Sequence, residues 1–216
     1  IGHPDKLCDQ VSDAIVDHFL RHDPHSSIVA ECAVASGVMF VSAHYASMSG
    51  LAIPDVARQV IRGIGYTKDV FDADACAIMT SFMDHTSKAY QPLELDKMDD
   101  ADIGRVTAKH QVTVFGYACD QTDAMMPLPI WLAHRLAEKL DDPDVEEKLP
   151  YLLPDGKSQV SVEFRDGKPN RLHGITLVAS QTSEDAVSAD QIRDDLITHV
   201  DGIRLHSPGQ LSQHLE

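Results

Sequence analysis

The chain has 216 residues, 43% of them apolar, and a formal net charge of −16. Its length admits one large or two small domains with a real core, and the lack of any long apolar run excludes a membrane-spanning helix. No basic run offsets the acidity, which excludes a nucleic-acid grip built on phosphate neutralisation. Most of the carboxylates are expected to serve solubility. Cys8, Cys32, Cys76 and Cys119 lie far apart among apolar neighbours, which predicts buried reduced thiols rather than a disulfide framework or a zinc site. With no signal-peptide pattern, the expected setting is cytoplasmic. The twelve histidines are spread without metal-ligand spacing and are expected mostly at the surface.

The densest chemistry lies in Ile1-Gly2-His3-Pro4-Asp5-Lys6-Leu7-Cys8-Asp9-Gln10. Pro4 suits the first helical position because its φ is fixed and it lacks an amide donor. His3 then stands just outside the helix, with Asp5 and Lys6 in its first turn. Free backbone N–H groups, an imidazole and a carboxylate at one positive helix end suit a phosphate, with Asp5 able to hold magnesium against it. Simple capping by His3 and Asp5 accounts for the same residues. From Asp5 to Asp23, Val11, Ala14, Ile15 and Phe19 recur at helical spacing, and Asp5, Asp9, Asp13 and Asp17 line another face. Asp23-Pro24-His25-Ser26-Ser27 ends the helix.

Ile28 to Val34 and Val38 to Tyr45 read as a β-hairpin turning at Ala35-Ser36-Gly37. Glu31 is a lone acid in the first strand, and alternation alone does not say which face it takes. A second helix spans Pro54 to Ile64, ended by Gly63 and Gly65, and Ala73 to Phe82 reads as a strand. Residues His85 to Lys109 show no convincing period and carry Glu94, Asp96, Asp99, Asp100 and Asp102; a connection of that length is functional or disordered. It leads into the apolar run Val112 to Ala118. A third helix is expected over Pro127 to Asp141, with Leu132, Leu136 and Leu140 on its stripe. Leu153 to Ser158 reads as a turn. Gln159 to Phe164 and Gly174 to Ser180 form a second hairpin about Asp166-Gly167. Ser188 to Val200 reads as a fourth helix and Ile203 to Leu205 as a short strand.

Both halves follow one plan of helix, hairpin, helix and strand. The expected fold class is α+β, with small sheets covered by helices on one face and the other face open to a partner. The expected division is an N-terminal unit at 1–95, a connecting loop at 96–111 and a second unit at 112–216.

Gly2-His3-Pro4-Asp5-Lys6, followed by Asp9-Gln10 and Ser12-Asp13-Ala14, resembles the signature of the S-adenosylmethionine synthetases (methionine adenosyltransferases). The resemblance continues with Phe115-Gly116-Tyr117-Ala118, Thr122-Asp123, Met126-Pro127, Ala133-His134-Arg135-Leu136 and Pro154-Asp155-Gly156-Lys157-Ser158-Gln159-Val160. It implies related α+β domains, three to a subunit in that family, and a dimer with active sites between subunits that uses magnesium and potassium. It also implies attack of the methionine sulfur on C5′ of ATP, release of the whole triphosphate and its hydrolysis. Such chemistry asks for alignment and charge neutralisation, since thioether sulfur is already nucleophilic. Position by position, the resemblance makes His3 the histidine on the triphosphate near the breaking bond and Lys157 the lysine on the phosphates. It makes Asp5 a magnesium ligand, Asp155 the acid that approaches the nucleoside, Glu31 an acid associated with potassium, and Gln91 a glutamine near the methionine.

The sequence departs from the family pattern in one loop and at its end. Where the family has Gly-Ala-Gly-Asp-Gln-Gly ahead of Phe-Gly-Tyr-Ala, this chain has Thr107-Ala108-Lys109-His110-Gln111-Val112, without the backbone freedom of the glycines. His110 stands at the aspartate that the family associates with methionine, His44 at a second acid, and Ile1 at a glutamate. The sequence ends at Glu216 without the family's next glycine loop, its lysine cluster and its third domain. The expected function is S-adenosylmethionine synthesis from ATP and methionine, with release of phosphate and diphosphate. A partner, either a second copy or a complete synthetase-like subunit, is expected to complete the site. The alternative is a catalytically inactive, family-derived regulatory or scaffold subunit.

Overall fold

The computed structural model describes residues 1–50, 52–66, 68–90, 95–107, 111–182 and 187–200. The chain divides into two compact units, one of Pro4–Val114 and one of Ile1–His3 with Phe115–Glu216. Among the described residues, no helix is long and apolar enough to cross a membrane.

In the unit of Pro4–Val114, α1 (Pro4–His22) begins at the expected proline. Leu7, Val11, Ile15 and Phe19 recur every fourth residue and are buried, while Asp5, Asp9, Asp13 and Asp17 are exposed. The acidic row is therefore a solvated face. β1 (Ser27–Ala35) and β2 (Val38–Ala46) pair antiparallel. Ser36 and Gly37, at φ 47° and 77°, form the two-residue turn with both central residues left-handed that matches strand twist.

α2 (Ile53–Ile64) and a short α3 (Lys68–Phe71) lead to β3 (Ala77–Asp84), which joins β2 in parallel. A parallel neighbour needs a crossover, and the helices supply it. β3 starts later than its apolar run suggests because Ala73 and Cys76 are buried in the preceding turn, where Arg58 donates to the Ala73 carbonyl. Along β2, Met39, Val41 and Ala43 are buried while Phe40 and His44 point outward. The core thus lies between one sheet face and the helices, built on Ile15, Phe19, Met39, Val41, Ile53 and Ile61. Beyond β3, the stretch without a sequence period carries short helical turns: α4 (Thr86–Ala89), a 3-10 turn at Leu95–Lys97 and α5 (Asp100–Ile103). Asp99 caps α5 by accepting from the Asp102 amide at 2.8 Å. Single turns held by one cap leave no hydrophobic period to read.

Residues 111–119 have no regular structure, and Val112, Val114, Phe115 and Tyr117 are between 77% and 91% exposed. In the other unit, α6 (Leu128–Leu140) buries Leu128, Leu132, Ala133 and Leu136. α7 (Pro143–Lys148) follows, with proline at its first turn and Asp142 accepting from the Asp144 amide at 2.9 Å. β4 (Leu152–Arg165) and β5 (Lys168–Gln181) pair antiparallel about Asp166 and Gly167, at φ 52° and 76°. α8 (Ala189–Val200) completes a core of Leu136, Val145, Leu149, Tyr151, Leu196 and Val200. Helix, hairpin and helix therefore recur in both units, in keeping with the α+β class. Ile203 to Leu205, the expected last strand, lies outside the described residues. The four cysteines are free thiols, but only Cys76 is buried; Cys8, Cys32 and Cys119 are half-buried.

Candidate functional site

Pro154 to Ser158 lie inside β4 rather than in the turn their composition suggests. Pairing with β5 slips between Leu152 and Gly156. That slip is where a strand tolerates a proline, which cannot donate to a ladder. The Pro154 carbonyl instead accepts from the Gly2 amide at 2.6 Å. A methyl on Gly2 would meet that oxygen at 2.6 Å and its carbon at 2.8 Å, so the approach requires glycine. This backbone clamp holds the segment carrying His3 against the segment carrying Asp155 and Lys157, all within one compact unit.

His3 and Asp155 are half-buried and Lys157 is exposed. Asp155 Oδ1 is enclosed and has no hydrogen-bond partner among the described residues. An enclosed acceptor left unpaired is costly, and a ligand hydroxyl or amine would satisfy it. Lys157 pairs with Val178 of β5, and Ser158 Oγ donates to the Ala133 carbonyl of α6 at 2.6 Å. The strand that carries Asp155 and Lys157 is thereby tied to a neighbouring strand and a helix.

Asp5 is exposed in the first turn of α1, where the helix dipole favours its charge. Glu31 takes the open face of the three-stranded sheet, across from Ser42. That face also shows Val29, Phe40, Met79 and Met83, between 44% and 58% exposed. Gln91, Lys109 and His110 lie outside the described residues. Among the described residues, no three His, Cys, Asp or Glu side chains converge to form a metal cage. A single carboxylate such as that of Asp5 is compatible with a magnesium ion that arrives with a polyphosphate, because such an ion keeps phosphate oxygens and waters as most of its ligands. Glu31 and Ser42 place a carboxylate and a hydroxyl on that open face.

Asp23 has a role that its sequence context does not signal. Its carboxylate is buried and accepts from the Met48 amide at 2.9 Å, the His25 amide at 3.0 Å, Tyr90 Oη at 3.2 Å and Ser47 Oγ at 3.3 Å. The Met48 amide and the other donors outweigh burial and hold the carboxyl below its usual range. This hub ties the end of α1 to the end of β2 and to Tyr90, the residue before Gln91. The Cys32 thiol is pushed up to about 11 by burial and then by Cys8. The Cys8 thiol is raised by burial and then by Asp5 and Asp9. Thiols so shifted stay protonated and are not nucleophiles near neutral pH.

The fold and the clamped segments define a protein of repeated α+β units with a polar site built on an irregular strand. Two family models match the chain: the S-adenosylmethionine synthetase N-terminal domain over residues 1–87 and the central domain of the same family over 105–213. A curated relative named S-adenosylmethionine synthase, from Roseiflexus castenholzii, is 39% identical over 209 residues, covering 92% of this chain and 51% of the relative. The chain belongs to the S-adenosylmethionine synthetase family and spans about half the length of that relative.

Proposed function

We propose that the chain takes part in S-adenosylmethionine synthesis from ATP and methionine, at a site that a partner subunit completes. The observation that supports this reading is the Gly2 to Pro154 hydrogen bond at 2.6 Å, which gathers the two motif segments bearing His3, Asp155 and Lys157. In this reading the methionine sulfur forms a bond to C5′ of ATP as the C5′–O bond breaks, and the electron pair leaves with the triphosphate. His3 donates a hydrogen bond to the departing oxygen, and Lys157 balances charge on the phosphates. The unpaired Asp155 oxygen accepts from the nucleoside. Asp5, two residues along the chain from His3, would hold a magnesium ion, which would supply charge neutralisation on the phosphates. Glu31 is the potassium-associated carboxylate and Gln91 a methionine contact. Water then cleaves one P–O–P bond of the released triphosphate, giving phosphate and diphosphate as the further products.

The same proposal places the chain in the cytoplasm and divides it at 1–95, 96–111 and 112–216. It makes the working form a homo-dimer or a hetero-oligomer with a complete synthetase-like subunit. The apolar open face around Phe40, Met79 and Met83 supports a subunit interface there. The altered loop Thr107 to Val112 favours a second reading, an inactive regulatory or scaffold subunit.

Purified chain with ATP, methionine, magnesium and potassium, alone and with a complete family subunit, should yield S-adenosylmethionine in the combination. ATP binding without product in any combination would favour the second reading, and no ATP binding with no product would remove the first. In an active assembly, His3→Asn should lower turnover about 10²-fold with little change in ATP affinity. Equal losses in both would contradict a role confined to the transition state.

A further inference from the structure

We infer that Ser158 is the positioning residue for Lys157: its hydroxyl, anchored on α6, sets the direction in which β4 presents the lysine to a polyphosphate. The inference rests on the synthetase reading for what Lys157 touches, and it adds a residue to which that reading gives no role. Leu153, Pro154 and Asp155 have no partner in the β4 to β5 register, which resumes at Gly156 opposite Ala179. Lys157 is therefore one residue from the end of the ladder, where pairing alone holds a strand least. Ser158 is the next residue, and its Oγ donates to the Ala133 carbonyl at 2.6 Å.

Strand alternation makes this bond act on the neighbouring side chain. Lys157 and Gln159 are exposed and Ser158 between them is half-buried, so Ser158 faces the helix while Lys157 faces away from it. Ala133 is buried within α6, and a helix carbonyl keeps a second lone pair beside its place in the helical ladder. The helix runs close over the strand here: a methyl on Gly156, the previous residue on that face, would lie 3.1 Å from Leu140 Cδ1. A serine hydroxyl is short enough to bridge such a gap. Among the described residues β4 pairs only with β5, and a two-stranded ribbon twists more than a wider sheet. A side-chain bond to a packed helix limits the roll of β4 about its own axis, which ladder bonds to one neighbour do not. The lysine ammonium sits on a flexible four-carbon stem, so fixing the direction of its first bond is what the surrounding protein can contribute.

A double-mutant cycle on the purified chain, read by calorimetric titration with inorganic tripolyphosphate in magnesium, tests the coupling. Lys157→Ala should weaken binding at least about tenfold, and Ser158→Ala about three- to tenfold. With Lys157 already alanine, Ser158→Ala should change affinity by less than about twofold, because a residue that acts through Lys157 then has nothing to position. Ser158→Thr keeps the hydroxyl and should bind like the unsubstituted chain, whereas Ser158→Val, of the same shape without it, should match Ser158→Ala. Urea melts of each variant report any loss of fold, which would lower affinity in both backgrounds alike. No binding by the unsubstituted chain, or binding that Lys157→Ala leaves unchanged, would remove the phosphate role of Lys157 from the synthetase reading and this inference with it. Binding that depends on Lys157, but with Ser158→Ala unchanged, equal in effect in both backgrounds, or valine equal to threonine, would overturn this inference alone.

Discussion

The two hairpins bend alike and differ along their length. Ser36-Gly37 and Asp166-Gly167 each put two left-handed residues at the bend. β1 and β2 then pair without a slip over 9 residues each, while β4 and β5 run to 14 residues and shift register at three places. The regular hairpin accepts a third strand and presents an unbroken face to helices, so it supports the larger core cluster. The irregular one frees backbone at Pro154, and Gly2 binds there. Regular pairing serves burial here, and interrupted pairing serves the candidate site.

The strongest way to break this contrast is to empty the regular unit. Phe19 is fully buried, with its ring centroid 5.0 Å from that of Tyr45. Phe19→Ala should cost about 3–5 kcal/mol in urea unfolding, and Leu136→Ala in the smaller core only about 2 kcal/mol. Equal losses would show that cluster size does not set the difference between the units.

A smaller effect tests the irregular unit at its clamp. In Gly2→Ala the new methyl meets Pro154 backbone atoms at 2.6 and 2.8 Å, which cannot turn aside as a side chain can. The expected cost is about 1–3 kcal/mol, with ATP binding weakened as the His3 segment lifts from β4. Gly174→Ala is the control, because nothing stands within 4 Å of the added carbon; it should stay within about 0.5 kcal/mol. Unchanged ATP binding in Gly2→Ala would mean that the clamp does not position the site.

What was legible in the sequence follows the same divide. Local rules place α1 from Pro4 and its four-residue apolar spacing, and both hairpin bends from their Gly-containing dipeptides. They fail where a distant contact decides. Asp-Gly turns the chain at Asp166-Gly167 but runs through a strand at Asp155-Gly156. A methyl on Gly156 would lie 3.1 Å from Leu140 Cδ1, so this glycine serves the close approach of α6 rather than a bend. Asp23 gathers donors from 24, 25 and 67 residues away, beyond the reach of any local pattern. Glu31 is ambiguous in isolation because strand alternation fixes two faces without saying which one the helices cover. His44 and His85 become neighbours only through the parallel pairing of β2 with β3.

The smallest expected effect sharpens the contrast by acting at one end of the irregular strand. Tyr151 Oη donates to Asp195 of α8 at 2.6 Å, and Gln191 donates to the same carboxylate at 2.8 Å. Burial, and then Asp195, push the phenol up to about 12. A group whose pKa is raised on folding stabilises fully below its unfolded value, near 10 for tyrosine, and loses that contribution as pH rises through its folded value. Tyr151→Phe retains the buried ring and leaves Asp195 with Gln191 and water, so it should cost only about 1 kcal/mol near neutral pH. The stability gap between the two proteins in paired urea melts should then narrow from about pH 10 toward 12. A gap that stays constant across that window would show that the phenol proton does not link β4 to α8, leaving ring packing alone to join them.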